Sequence, residues 1–168
     1  MKSKNSNSAE TSLASTSSLL SSNQPSQAGP KSGEKVKWQI YCVNCGRVIS
    51  APVEELPVSW QVSEKCEVSL VPKGQFWRVH NFWDSTPDGV IVVHRKDVLD
   101  LNKHPDSNRH AGCCGEGGYQ GPNLVCPCGN EVATEVSDCC TPHFIHFLPE
   151  ATDIEHQPLQ RNDLEADK

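Results

Sequence analysis

The sequence predicts a small, mainly β domain of short antiparallel strands, set between two disordered tails. Three observations predict it. From Val36 to Leu148 the apolar residues come in short β-branched and aromatic runs, not at helical spacing. Turn-forming stretches such as Pro72-Lys73-Gly74 and Pro87-Asp88-Gly89 separate those runs. Two cysteine turns that end in glycine, Cys42-Val43-Asn44-Cys45-Gly46 and Cys126-Pro127-Cys128-Gly129, lie toward opposite ends of the apolar region.

A chain of 168 residues suits one compact domain with tails. Residues 1–35 are rich in Ser, Asn, Thr, Gln, Pro and Gly, too polar to offset the entropy of ordering, and read as a disordered leader. Residues 36–150 form the predicted body. Residues 151–168 are polar and acidic with no core pattern, and read as a flexible tail.

Taken in order, Val36 to Cys42 alternates and reads as the first strand, with the first cysteine turn at its end. Val48 to Val53 leaves that turn as a second strand, and Pro52 marks it as an edge or a strand end. Val58-Ser59-Trp60-Gln61-Val62 alternates and reads as a third. Val68 to Val71 and Phe76 to Val79, joined by Pro72-Lys73-Gly74, predict a hairpin. Val90-Ile91-Val92-Val93 is β-branched throughout and bounded by turns, as a central strand buried on both faces would be. Asp97 to Leu101 reads as one helical turn. Residues 102–123 lack periodicity, and a loop of that length is functional or tied down, here by Cys113 and Cys114. Val125, Val132 and Phe144 to Leu148 supply the closing strands. Trp38, Trp60, Phe76, Trp77, Phe82 and Trp83 are expected to share the core rather than to line a ligand pocket.

The chemistry lies in the nine cysteines. Two thiolates two residues apart can chelate one tetrahedral ion from a tight turn, and Gly46 lets the turn close behind the second sulfur. The expected ligands are Cys42, Cys45, Cys126 and Cys128, and zinc is the favoured ion because thiolate clusters select it. Only one residue separates Cys126 from Cys128, so the spacing leaves open whether both reach the ion. Cys114 and Cys139, with a histidine from His110-Ala111-Gly112-Cys113-Cys114 or Cys139-Cys140-Thr141-Pro142-His143, are candidates for a second site. Alternatively Cys113 or Cys114 completes the first. Adjacent cysteines strain to share one ion, so one member of each pair is expected to take part. His143 and His146, three apart on a strand, fall on opposite faces and do not form a joint chelate.

The formal net charge of −6 is concentrated in the body and the C-terminal stretch, a poor match to a phosphate backbone, so nucleic-acid binding is disfavoured. No apolar run follows Lys2 and Lys4, and no stretch approaches the ~20 apolar residues of a membrane helix. An odd number of cysteines without a secretory signal fits a reducing cytoplasm and metal ligation better than a disulfide framework. No Ser nucleophile elbow, HExxH or phosphate loop of the usual spacing is present.

The Cys42-Val43-Asn44-Cys45-Gly46 turn resembles a zinc-ribbon knuckle. Two knuckles far apart around a β body resemble the Yippee-like, or β-tent, group, in which two such turns pin two sheets together around zinc. The shortened Cys126-Pro127-Cys128 knuckle and the cysteine-rich loop before it depart from that pattern. The function expected is that of a non-catalytic zinc-binding β module with structural zinc, serving interaction with an unidentified protein partner. The alternative is a thiol-dependent redox enzyme or sensor that uses Cys113 and Cys114, or Cys139 and Cys140, as a likeness to zinc-bearing methionine sulfoxide reductases would imply.

Overall fold

A computed structural model describes residues 36–79 and 89–156. It is mainly β. Nine strands and two short 3-10 turns, Arg95–Asp97 and Ser107–His110, are present among the described residues, with no α-helix. The leader expected over residues 1–35 lies outside the described residues, as do Phe82, Trp83 and most of the turn expected at Pro87-Asp88-Gly89.

The strands are β1 (Trp38–Cys42), β2 (Glu54–Glu55), β3 (Gln75–Arg78), β4 (Ile91–Val93), β5 (Asn102–Lys103), β6 (Leu124–Val125), β7 (Glu131–Val136), β8 (Phe144–Phe147) and β9 (Thr152–His156). Seven form one sheet in the order β2-β3-β4-β8-β7-β6-β5, and β1 and β9 form a second, two-stranded sheet. Pairing is antiparallel throughout except between β2 and β3, which run parallel.

The run at 90–93 behaves as its composition requires. All three residues of β4 are buried, and β3 and β8 hold its two edges. Side chains alternate across the sheet. Phe76, Ile91, Val93, Ala133, Ile145 and Phe147 join Ile40 and Cys42 of β1 in one apolar cluster, and Ile154 of β9 packs against it. Trp77, Val79, Val90, Val92 and Phe144 meet Leu56, Leu70 and Val71 in a second cluster, with Trp60 and Val62 at its margin. One face of the large sheet is thus covered by the β1–β9 ribbon and the other by the loops between β2 and β3. Trp38 is half-buried and meets Phe76 edge-on, with ring centroids 6.3 Å apart.

Several expectations are corrected. Val58 to Val62 is not a strand: Pro57 accepts the Trp60 amide in a turn (2.8 Å), and Val58 is 90% exposed. The hairpin of 68–71 with 76–79 does not form. The predicted turn is there, with Gln75 N–H donating to Pro72 O (3.2 Å), but residues 67–70 exchange backbone bonds with 141–143 instead. β3 pairs with β4, whose two buried faces make it the better partner for Phe76 and Trp77. The helical turn expected at Asp97 to Leu101 lies earlier, at Arg95–Asp97, where His94 Nδ1 accepts the Lys96 amide. Val48 to Val53 is not a continuous strand: it pairs through isolated bridges at Val48, Ser50 and Val53, with further backbone bonds at Ile49 and Ala51.

The largest correction is at the C-terminal end. Within the stretch read as a flexible tail from 151, Thr152–His156 is a strand paired with β1 over five residues, from Trp38 opposite His156 to Cys42 opposite Thr152. Ile154 is its one apolar residue packed on the core, and Asp153 and Glu155 are exposed. One apolar side chain among four polar ones is too weak a periodic signal to mark a strand. Residues 157–168 lie outside the described residues.

Candidate metal centres

The first cysteine turn is built on the end of β1. Cys42 N–H donates to Arg47 O (2.9 Å), Gly46 N–H donates back to Cys42 O (2.8 Å), and Gly46 takes φ of 68°. The second turn joins β6 to β7 in the same manner, one residue shorter. Cys126 N–H donates to Asn130 O (2.9 Å), Gly129 N–H to Cys126 O (2.8 Å), and Gly129 has φ of 89°. Each glycine adopts the left-handed region that a side chain would resist. The tighter loop therefore still turns both its sulfurs toward the first cysteine turn.

The two turns face each other as crossed pairs. The Sγ atoms of Cys42 and Cys128 are 3.7 Å apart, and those of Cys45 and Cys126 are 3.6 Å apart. All four sulfurs lie within 4.8 Å of one another. A tetrahedral ion with thiolate bonds of about 2.3 Å requires sulfur separations of about 3.8 Å, which the two crossed pairs match. Cys42 and Cys126 are buried, and Cys45 and Cys128 are exposed, so each turn contributes one inner and one outer sulfur. The group lies where β1 of the ribbon meets the β6–β7 turn of the large sheet.

Two asparagines not singled out by the sequence reading support it. Asn44 Nδ2 donates to Cys128 Sγ and Asn130 Nδ2 to Cys42 Sγ, each at 3.5 Å. Asn44 and the Asn130 backbone N–H stabilise the Cys128 thiolate and draw its pKa down to about 6. Burial pushes the Cys126 thiol the other way, up to about 12. Their signal in the sequence was position alone: one lies between the first pair of cysteines, the other directly after Gly129.

A second cluster joins Cys113, Cys114, Asp138 and Cys139, whose ligand atoms also lie within 4.8 Å of one another. The Sγ atoms of Cys113 and Cys114 are 3.7 Å apart, and Cys139 and Cys140 are 3.8 Å apart. Both members of the 113–114 pair face the cluster, where one was expected. The histidines do not complete it. His110 is engaged elsewhere, through Nδ1 with Glu116 (2.8 Å) and Nε2 with His104 O (2.8 Å). His143 faces a cleft with Glu67, Ser69, His94 and Glu135. Asp138 takes the histidine's place in the cluster. It accepts the amides of Cys113, Cys114 and Cys139, each at 2.8 Å, and these donors hold its carboxyl down at about 2. The hydrogen bond from Cys114 pushes the Cys113 and Cys139 thiols upward.

The loop that carries Cys113 and Cys114 is anchored through Glu116. This buried carboxylate pairs with Lys103 of β5 and with His110, and Asn123 Nδ2 reaches it at 3.4 Å. Burial raises its pKa, but Lys103 and His110 outweigh burial and leave it below the usual range. Asn123, fully buried, also exchanges two bonds with the Glu135 backbone (2.7 and 2.9 Å), extending the β6–β7 pairing by a side chain. The long segment 102–123 is therefore tied down mainly by this polar network.

The described residues thus hold two cysteine-rich candidate metal sites in one small β domain. No helix among them is long and apolar enough to cross a membrane. Compared with protein-family models, with curated proteins and with solved structures, the chain has no significant match.

Proposed function

We propose that the chain is a zinc-binding β module in which the ion held by Cys42, Cys45, Cys126 and Cys128 is structural, and that the module serves recognition of a protein partner rather than catalysis. The observation that carries the reading is the crossed pairing of the four sulfurs at 3.6 and 3.7 Å. Four thiolates close the coordination shell, and closed shells are the mark of structural zinc, whereas catalytic zinc keeps an open position. The plan of two far-apart turns pinning a ribbon to a sheet is also the plan of the β-tent resemblance. Its acidic body makes a protein surface a better partner than a nucleic acid.

The alternative, a thiol redox enzyme or sensor, draws on the vicinal pairs at 113–114 and 139–140, of which Cys113, Cys114 and Cys140 are exposed. Among the described residues no histidine hydrogen-bonds to any of these four sulfurs, so the base that would activate a nucleophilic thiol is not beside them.

Thiol titration of the folded, reduced chain with and without a strong chelator separates the readings. Thiols released only by chelator, with zinc found by elemental analysis, support the structural module. One fast-reacting thiol beside an intact metal site favours the redox reading. A metal-free yet well-folded sample overturns the first.

A further inference from the structure

We propose that the chain carries a second metal site, independent of the first, in which the thiolates of Cys113, Cys114 and Cys139 bind a thiophilic divalent cation of the zinc class. Cys140 swings in as fourth ligand and Asp138 acts as the positioning residue.

Three features separate this cluster from thiols that meet by chance. The first is spacing. The sulfurs of Cys113 and Cys114 and those of Cys139 and Cys140 are 3.7 and 3.8 Å apart, close to the tetrahedral edge of about 3.8 Å.

The second is how two adjacent cysteines come to face one point. In extended chain they would point to opposite sides. Here the amides of Cys113, Cys114 and Cys139 all converge on the one buried carboxylate of Asp138. That carboxylate orients three ligands from two separate segments. With both of its oxygens engaged by N–H donors, Cys140 is the nearby group free to complete the shell. Its exposed sulfur lies 3.8 Å from that of Cys139.

The third is the rigidity of the loop. A Cβ on Gly112 would fall 2.0 Å from Gly115 O, and one on Gly115 would fall 2.3 Å from Ser137 O. Ser137 N–H donates to Glu116 O (2.8 Å), Glu116 N–H to Ser137 Oγ (3.3 Å), and Gly117 N–H to Ala111 O (3.1 Å). The loop is folded on itself and pressed onto the end of β7, with no room for side chains between. Such packing fixes the cysteines before an ion arrives, and pre-organised ligands bind with less ordering cost.

The test is ion counting by native mass spectrometry on the full reduced chain, saturated with Zn(II) in a non-coordinating reductant. Two ions per chain are expected for the wild type and one for C113S/C139S, with unchanged far-UV dichroism. C66S is the control, because it removes an exposed thiol that belongs to neither cluster and should keep both ions. A wild type that holds a single ion, retained in C113S/C139S, overturns the proposal. A single ion lost in C113S/C139S but kept in C66S upholds it and sinks the first site instead.

If C113S/C139S does not fold, the exposed single variant C114S reads the same loss as weakened binding of the second ion, and unchanged binding overturns the proposal. Cobalt(II) loading assigns the last two roles. D138N is expected to weaken the second site about 10- to 100-fold while leaving its saturated spectrum unchanged. C140S should lower the sulfur-to-cobalt charge-transfer intensity. The reverse pattern would make Asp138 the ligand and overturn the assignment.

Discussion

The two cysteine clusters use the same chemistry at two depths. The first brings together residues 81 and 86 positions apart, buries two of its four sulfurs, and lies where the β1–β9 ribbon meets the large sheet. The second gathers residues about 25 positions apart on one loop and one strand end, with its sulfurs mostly exposed. Closing a longer loop costs more chain entropy, but the dependence is slow. The larger difference is what each cluster holds: the first joins two sheets, while the second decorates a loop that Glu116 and Asp138 already anchor. On the proposed reading, metal at the first site would be coupled to folding and metal at the second to little beyond its own loop.

Removing metal altogether is the strongest challenge to that contrast. Apparent structural zinc binding in small peptides is worth on the order of 10–16 kcal/mol, against a total stability of roughly 5–15 kcal/mol for a domain. Full chelation of the reduced protein should therefore abolish cooperative unfolding followed by Trp fluorescence and far-UV dichroism. A sheet that survives complete metal removal would dissolve the distinction between the clusters.

A smaller effect lies in the sheet itself and serves as a metal-independent reference. His146 is set between Val92 and Thr134 in register, and burial draws its pKa down from 6.5 to about 4. Above 6.5 both folded and unfolded states are neutral and the residue costs nothing. As pH falls from 6.5 through 4 the unfolded state takes up a proton that the folded state refuses, so stability is lost, by about 3 kcal/mol in all. Thiolate protonation also releases metal in acid, so the measurement is the difference between wild type and H146Q in urea melts from pH 7.5 to 5. That difference should narrow as pH falls; a constant gap would mean that His146 titrates normally.

The ribbon that the first cluster clamps can be weakened directly. Ile154 is the one apolar residue of β9 packed on the core, and Ile154→Ala should cost about 2 kcal/mol by denaturant midpoint. No measurable cost would mean that β9 adds nothing to the body. At the other extreme, C113S/C139S should lower stability by less than about 1 kcal/mol while removing an ion. A loss as large as that from chelation would make the second cluster a folding element too.

Much of this architecture was legible in residues 36–150. The β-branched run at 90–93, the two glycine-terminated cysteine turns and the aromatic strand at 75–78 each carry a local pattern that tertiary packing did not override. What failed did so for lack of a partner visible in sequence. Val58 to Val62 alternates, yet the Pro57 turn leaves it nothing to pair with. Residues 68–71 sit next to a good turn but bond to 141–143, far along the chain. Asp138 carries no signal of its own in the sequence; that its carboxylate reaches three amides depends on where a loop 25 residues away comes to rest.

By itself the sequence determined that the chain would be mainly β and that thiolate turns from its two ends could share an ion, because side-chain period and cysteine spacing are local properties. Only the tertiary structure decided that a polar segment at 152–156 is the strand that completes β1, that a turn one residue short still presents both sulfurs, and that an aspartate rather than a histidine joins the second cluster. Each of these depends on which distant backbone groups end up opposite one another, and hydrogen-bond partners of that kind are set by the packed whole.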